Sequence, residues 1–349
     1  MAVGASENDE CKSCCDIIQR ADDGMASPSA ASATRSLGLL LVDGFALLSY
    51  AAVVEPFRAA NNLADAELYR WVHVAVGGGA ARASNGAAIL ADGKVGEALD
   101  CDLLFVFAGG DPTSFDDAAT FAWLRQLAAR GVGLAGVSGG PYLLARAGLL
   151  DGRRATVHWE HAAGFREDFP AVALEDGLYV VDGRRMTCAG GTAGLDLAIA
   201  LIERDQGPGL ARRVGEWFIR TESRRAERSQ RPTLRDRYGV RHEGTLRALA
   251  AMEAAVEDPL SREALAARAG VSVRQLERQF RTHLNATVAG IYLRIRLERA
   301  SQLLRTTGLS VTDVAVASGF ASGSHFARVF RHAFGHAPGA GRNRPGGGS

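Results

Sequence analysis

Two stretches in the last third of the chain carry one pattern twice. The first copy runs Ser261, Leu265, Ala266, Gly270, Val271, Leu276, Arg278, Phe280, and the second runs Ser310, Val314, Ala315, Gly319, Phe320, Phe326, Arg328, Phe330. A tandem repeat of this kind narrows the fold sharply, because each copy holds the parts of a helix-turn-helix. A serine caps the first helix, a small alanine lets two helices approach, a glycine makes the turn, and an apolar i, i+4 pair anchors the second helix. Ser272 and Ser322 are placed to cap those second helices. Their opposite faces carry Arg274, Gln275, Arg278 and Arg281 in one copy, and Ser324, His325, Arg328 and Arg331 in the other. Such side chains donate to phosphates and to guanine edges.

Between the copies, residues 287–306 have the pattern of one helix, with Ile291, Leu293, Ile295, Leu297, Leu303 and Leu304 as apolar contacts. About 20 residues at 1.5 Å each span roughly 30 Å. That nearly equals the ~34 Å between successive major grooves on one face of DNA, so one chain would present two reading helices a turn apart.

Charge agrees with this division. Residues 1–207 contain 16 Lys/Arg against 27 Asp/Glu, a net of −11, and the remainder contains 24 arginines, no lysine and 12 acids, a net of +12. A basic, all-arginine C-terminal part points to a polyanionic partner. A two-repeat helical protein-interaction module is the competing reading, and it has no need of an arginine face.

The first two thirds obey a different grammar. From Leu37, short apolar runs alternate with amphipathic ones: LGLLLVDGF, LLSYAAVVEPFRAANNLA, YRWVHVAV, LLFVFAGG, FAWLRQLAARG and VGLAGVSGG. Runs such as Leu103 to Ala108 and Val132 to Val137 predict buried parallel strands with helices on both faces. Ser138 then falls at a strand's carboxyl end with a helix behind it, where ligands of open α/β sheets bind. Gly136-Val137-Ser138-Gly139-Gly140 reads literally as the G-x-S-x-G nucleophile elbow. A serine needs a base and a group that orients it. His158 is the candidate base, yet Asp151, in a turn, is the only acid between the two residues. The expectation is a cleft that binds without cutting, lined by Gly109, Gly110, Asp111, Ser138, Gly139, His158 and Trp159. Trp159 and Glu160 would suit a cationic ligand.

GVSGGPYLLARAGLLDGRRATVHWEH with MTCAGGTAGLDLAIALI resembles the DJ-1/PfpI-like domain at the N-terminus of one branch of AraC-type transcription regulators. In that superfamily's catalytic members a cysteine stands where this chain has Ser138, and a histidine where it has His158. GLSVTDVAVASGFASGSHFARVFRHAFGHAP, with the repeat, is similar to the AraC/XylS DNA-binding domain. That resemblance implies base contacts from Arg274, Glu277 and Arg278 in the first copy and from Ser324, Ala327 and Arg328 in the second. Val288 and Ala340 depart from the family pattern, which usually has proline and an aromatic there. EPFRAAN and LYRW are similar to runs in members that sense arginine, carnitine or glycine betaine.

The expected organisation is therefore an α/β parallel-sheet domain, flavodoxin-like and of DJ-1/PfpI type, followed by an all-α domain with two helix-turn-helix motifs. Residues 1–35 read as a disordered leader, 36–205 as the sensing domain, 206–244 as a connector, 245–343 as the DNA-binding domain and 344–349 as a flexible tail. Cys11, Cys14 and Cys15 lack further ligands nearby for a metal clip, and Cys101 and Cys188 complete no disulfide framework. No cofactor, metal or membrane span is expected, and the chain reads as cytoplasmic. The expected partners are double-stranded promoter DNA, a small-molecule effector and a second copy in a homodimer, with RNA polymerase as a further partner. Activation is expected over repression. An amidase or hydrolase using Ser138 and His158, tethered to nucleic acid, is the alternative, and an architectural DNA binder without an effector is a third reading.

Overall fold

The computed structural model describes residues 34–343 apart from 221 and 223. The three N-terminal cysteines, nearly all of the 1–35 leader and the 344–349 tail lie outside the described residues.

The α/β part is a seven-stranded sheet in the order β10-β11-β7-β6-β1-β2-β5. Its strands are β1 (Arg35–Leu41), β2 (Tyr69–Ala75), β5 (Gly93–Lys94), β6 (Leu103–Ala108), β7 (Gly133–Ser138), β10 (Tyr179–Asp182) and β11 (Arg185–Cys188). All pairings are parallel except β10 with β11. Leu103 to Ala108 is buried at every position, as a central strand covered on both faces requires. Helices α1 (Leu47–Ala64), α5 (Ala193–Gln206) and α6 (Pro208–Trp217) cover one face through Val53, Phe57, Leu197, Ile202 and Val214. Helices α2 (Ala118–Ala129), α3 (Gly140–Arg146) and α4 (Ala162–Asp168) cover the other through Leu124, Leu127, Leu143, Leu144 and Phe165. Two small two-stranded pairs, β3 (Ala80–Arg82) with β4 (Ala88–Leu90) and β8 (Arg154–Ala155) with β9 (Ala173–Leu174), complete this unit.

Residues 206–244 are stitched to the α/β part. Helix α6 packs into its core through Ala211 and Val214. Asp196, with 1% of its side chain exposed, is shared by Arg220 and Arg224. Leu178 donates to the Ala226 carbonyl at 2.7 Å. Short helix α7 (Leu234–Tyr238), capped by Thr233, leads into the second region.

That region comprises α8 (Glu243–Ala254), α9 (Arg262–Ala269), α10 (Val273–Leu284), α11 (Val288–Thr306), α12 (Val311–Ala317) and α13 (Gly323–Phe334). Helix α11 serves two cores. Its first half, Val288, Ile291, Tyr292 and Ile295, packs with Leu265, Leu276 and Phe280. Its second half, Leu297, Leu303 and Leu304, packs with Val314, Phe320, Phe326 and Phe330. Val288 is 1% exposed, and Thr287 caps the helix through the Gly290 amide, so α11 starts soundly without proline. Among the described residues, no helix is long and apolar enough to cross a membrane.

Candidate nucleic-acid interface and effector cleft

Each helix-turn-helix is built by the devices its sequence shows. Ser261 accepts from the Ala264 amide and Ser310 from the Asp313 amide, capping α9 and α12. Ser272 accepts from the Gln275 amide and Ser322 from the His325 amide, capping α10 and α13. Leu276 and Phe280 are fully buried on α10, as Phe326 and Phe330 are on α13. Burying those pairs turns the opposite faces outward.

Arg274, Gln275, Arg278 and Arg281 are exposed and Glu277 half-buried on α10; on α13, Ser324, His325, Arg328 and Arg331 are exposed and Ala327 half-buried. Among the described residues no carboxylate pairs with Arg274, Arg278, Arg281, Arg328 or Arg331, so these guanidiniums keep their donors for an external acceptor. Gln275 is less free, because its Oε1 accepts from the Ser272 amide at 2.9 Å to close a capping box. His325 lies edge-on to Phe320, with ring centroids 6.1 Å apart. Ser324, Ala327, Arg328 and Arg331 share a shallow groove with His332, which the sequence reading did not single out. Arg296 ties the linker helix to the second turn: it donates to the Ser318 carbonyl at 3.0 Å and lies 4.2 Å over the Phe320 ring.

At the sheet's carboxyl edge, β6 and β7 run in register up to Ala108 opposite Ser138, which brings Gly109, Gly110 and Asp111 beside Ser138 and Gly139. The crevice between β1 and β6 is closed: a Cβ on Gly109 would stand 2.5 Å from the Gly44 carbonyl oxygen. Asp111 is turned into its own loop, accepting from the Thr113 amide and hydroxyl. Ser138 sits at φ +61°, the strained conformation of an elbow.

Among the described residues the Ser138 hydroxyl has no hydrogen-bond partner, so no base holds its proton. His158 accepts at Nδ1 from the Glu160 amide at 3.3 Å, which leaves the proton of a neutral ring on Nε2. The amide after an elbow nucleophile normally stabilises the oxyanion. Here the Gly139 amide is spent on the Ala108 carbonyl at 2.9 Å.

His158 and Trp159 belong to a polar and aromatic cluster that also contains His161 and Tyr142, which sequence reasoning missed. His158 and His161 ring centroids are 6.1 Å apart, and His161 lies 6.0 Å edge-on to Tyr142. Burial pushes the His161 imidazole down to about 4, with the neighbouring His158 ring adding to that against the pull of Glu160 and Asp111. Burial lowers His158 as well, against Glu160. Both rings are neutral near pH 7. The half-buried Trp159 ring carries the Arg231 guanidinium 4.5 Å from its centroid. Gln230 reaches into the same segment, donating to the Val157 and Gly177 carbonyls at 2.9 Å. From α11, Gln302 donates to the Glu160 carbonyl at 2.6 Å and Arg305 to the Glu160 carboxylate at 3.2 Å. Among the described residues no group of three or more His, Cys, Asp or Glu side chains is placed to hold a metal ion.

Comparison with known proteins assigns the two parts separately. Residues 37–204 match the DJ-1/PfpI family, and residues 265–344 match a helix-turn-helix domain family. The chain is 41% identical over 323 residues to the HTH-type transcriptional regulator GlxA of Rhizobium meliloti (strain 1021), covering 92% of this chain and 100% of that protein. It is 44% identical to the HTH-type transcriptional regulator CdhR of Pseudomonas aeruginosa, covering 86% of this chain and 89% of that one. With GbdR of the same species, also an HTH-type transcriptional regulator, it shares 38% identity over 87% of this chain and 83% of that one. This chain belongs to the AraC/XylS family of HTH-type transcriptional regulators, in the branch that carries a DJ-1/PfpI domain ahead of paired helix-turn-helix motifs.

Proposed function

We propose that the chain is a sequence-specific activator that works as a homodimer, with α10 and α13 reading promoter DNA and the α/β part sensing a small nitrogenous metabolite without chemistry. The observation that carries the DNA reading is the row of unpaired guanidiniums on two capped helices joined by α11. At 19 residues, α11 spans roughly 29 Å, which suits helices docking in successive major grooves. Arg274, Arg278 and Arg328 would take base edges, and Arg281 and Arg331 phosphates. The sensing reading rests on the sheet edge of Gly109, Gly110, Ser138 and Gly139, with His158 and Trp159 taken from the segment after β8. Its spent Gly139 amide and the Ser138 hydroxyl, without a partner among the described residues, favour binding over hydrolysis. Effector and DNA affinities would be coupled reciprocally.

Selection of genomic fragments by the full chain at near-physiological salt tests the DNA reading, and thermal shift against a metabolite panel of all charge types tests the sensing reading. Recovery of a few promoter fragments, and a shift with a nitrogenous compound, are expected. Sequence-blind retention of fragments, or a panel without any response, would overturn the respective part.

A further inference from the structure

The aromatic face and the carboxylate that a cation would seek are both already held by guanidiniums of the chain itself. Arg231 covers the Trp159 ring at 4.5 Å. Arg305 holds the Glu160 carboxylate at 3.2 Å. The two arginines come from different places, one from the segment before α7 and one from the last turn of α11. They meet on adjacent residues of the sensing part. A cavity of about 630 Å³ opens at this junction, with Trp159, Arg231 and Arg305 on its walls, two further arginines, Arg237 and Arg299, and the carboxylates of Glu257 and Glu298. That is room for a metabolite.

We propose that Arg231 and Arg305 act as built-in stand-ins for a cationic effector, so that effector and linker helix compete for Trp159 and Glu160. This rests on the sensing reading above and adds how occupancy reaches the DNA-binding part. Neither internal contact is strong enough to resist a ligand. Among the described residues Arg231 has no carboxylate within ion-pair distance, and burial disfavours its charge. Arg305 is 53% exposed in its pair, so solvent screens it. A quaternary ammonium or guanidinium head that stacks on the indole and meets Glu160 would therefore displace both. Arg305 precedes Ser310, the cap of α12, by five positions. Its release removes the charged tie between the last turn of α11 and the sensing part, leaving the Gln302 bond to the Glu160 carbonyl, and so loosens the restraint on the second helix-turn-helix.

The test is isothermal titration of the full chain with two probes, tetramethylammonium for a quaternary head and argininamide for a guanidinium. If the arginines are competitors, Arg231→Ala/Arg305→Ala binds a probe about five- to tenfold more tightly than wild type, because the competent site no longer has to be vacated. Trp159→Ala in that background abolishes the gain. Glu160→Gln, of the same shape, weakens the probe and raises amide hydrogen exchange over residues 300–307. Equal or weaker binding by the double variant, binding that survives Trp159→Ala, or no binding to any variant would each overturn the competition. If neutral or anionic metabolites then still stabilise the wild type, the sensing reading stands while this inference falls. If no metabolite of any charge does, both fall.

Discussion

The Trp159 amide donates to the Gln230 side-chain oxygen at 2.8 Å across 71 residues of sequence. The bond fixes the backbone of the His158–Glu160 segment from one side, and the Gln302 bond to the Glu160 carbonyl fixes it from the other. A stretch that reads as a charged connector thus packs against the α/β part at Trp159.

Gln230→Ala leaves the Trp159 amide and the Val157 carbonyl without these partners. A buried polar group stripped of its partner costs about 1–3 kcal/mol. Thermal unfolding of the variant should show a loss in that range, with the α/β transition moving first. An unchanged Tm would mean that Gln230 is replaceable by water.

The two turn glycines should respond differently to alanine. Gly270 and Gly319 adopt φ of +74° and +75°, a conformation that costs an alanine roughly 1–2 kcal/mol. A Cβ on Gly270 meets nothing closer than Arg247 at 3.6 Å, whereas one on Gly319 would stand 2.4 Å from the Val256 carbonyl oxygen. Gly319→Ala should therefore cost roughly 1–3 kcal/mol more than Gly270→Ala, the usual range for overpacking. Urea unfolding of the two variants decides it, and equal losses would contradict the packing at Val256.

Stability should fall on the acid side of neutrality through His161. Its folded value is depressed to about 4 from 6.5 by burial, with His158, Glu160 and Asp111 as the neighbouring charges and the Tyr142 ring against it. Because the unfolded chain takes up the proton first, this contribution is full above about pH 6.5 and is lost as pH falls through about 4. A depression of this size corresponds to about 3 kcal/mol in all. His161→Phe should flatten the pH dependence in that window by about one proton. A slope identical to wild type would show that the ring titrates normally.

What was legible in the sequence is what local patterns encode. The serine caps, turn glycines and i, i+4 pairs such as Leu276 with Phe280 act within a few residues, so the repeat displays them directly. The strand Leu103 to Ala108 is legible because burial on both faces demands an unbroken apolar run. The junction was not. Arg305 meets Glu160 across 145 residues and Gln230 meets Gly177 across 53, and polar contacts between distant segments carry no periodicity. Trp159 and Glu160 were visible as a cation-friendly pair. That the chain supplies its own cations depends on where α11 is set against the sheet edge. The short pairs β3–β4 and β8–β9 escaped for a related reason, being too brief to show alternation.

The most direct test of the account is the specificity of the recognition helices. On a promoter fragment recovered by selection, affinity is compared with that for a scrambled fragment of equal length, at one fixed salt concentration, for wild type, Arg278→Ala, Arg328→Ala and the double variant. The account predicts a wild-type preference of about 10³-fold or more. Each single variant should lose about 10- to 100-fold of that preference, the worth of a good guanine contact. A preference that survives in the double variant, or a wild type that never had one, would contradict the claim that α10 and α13 read DNA sequence.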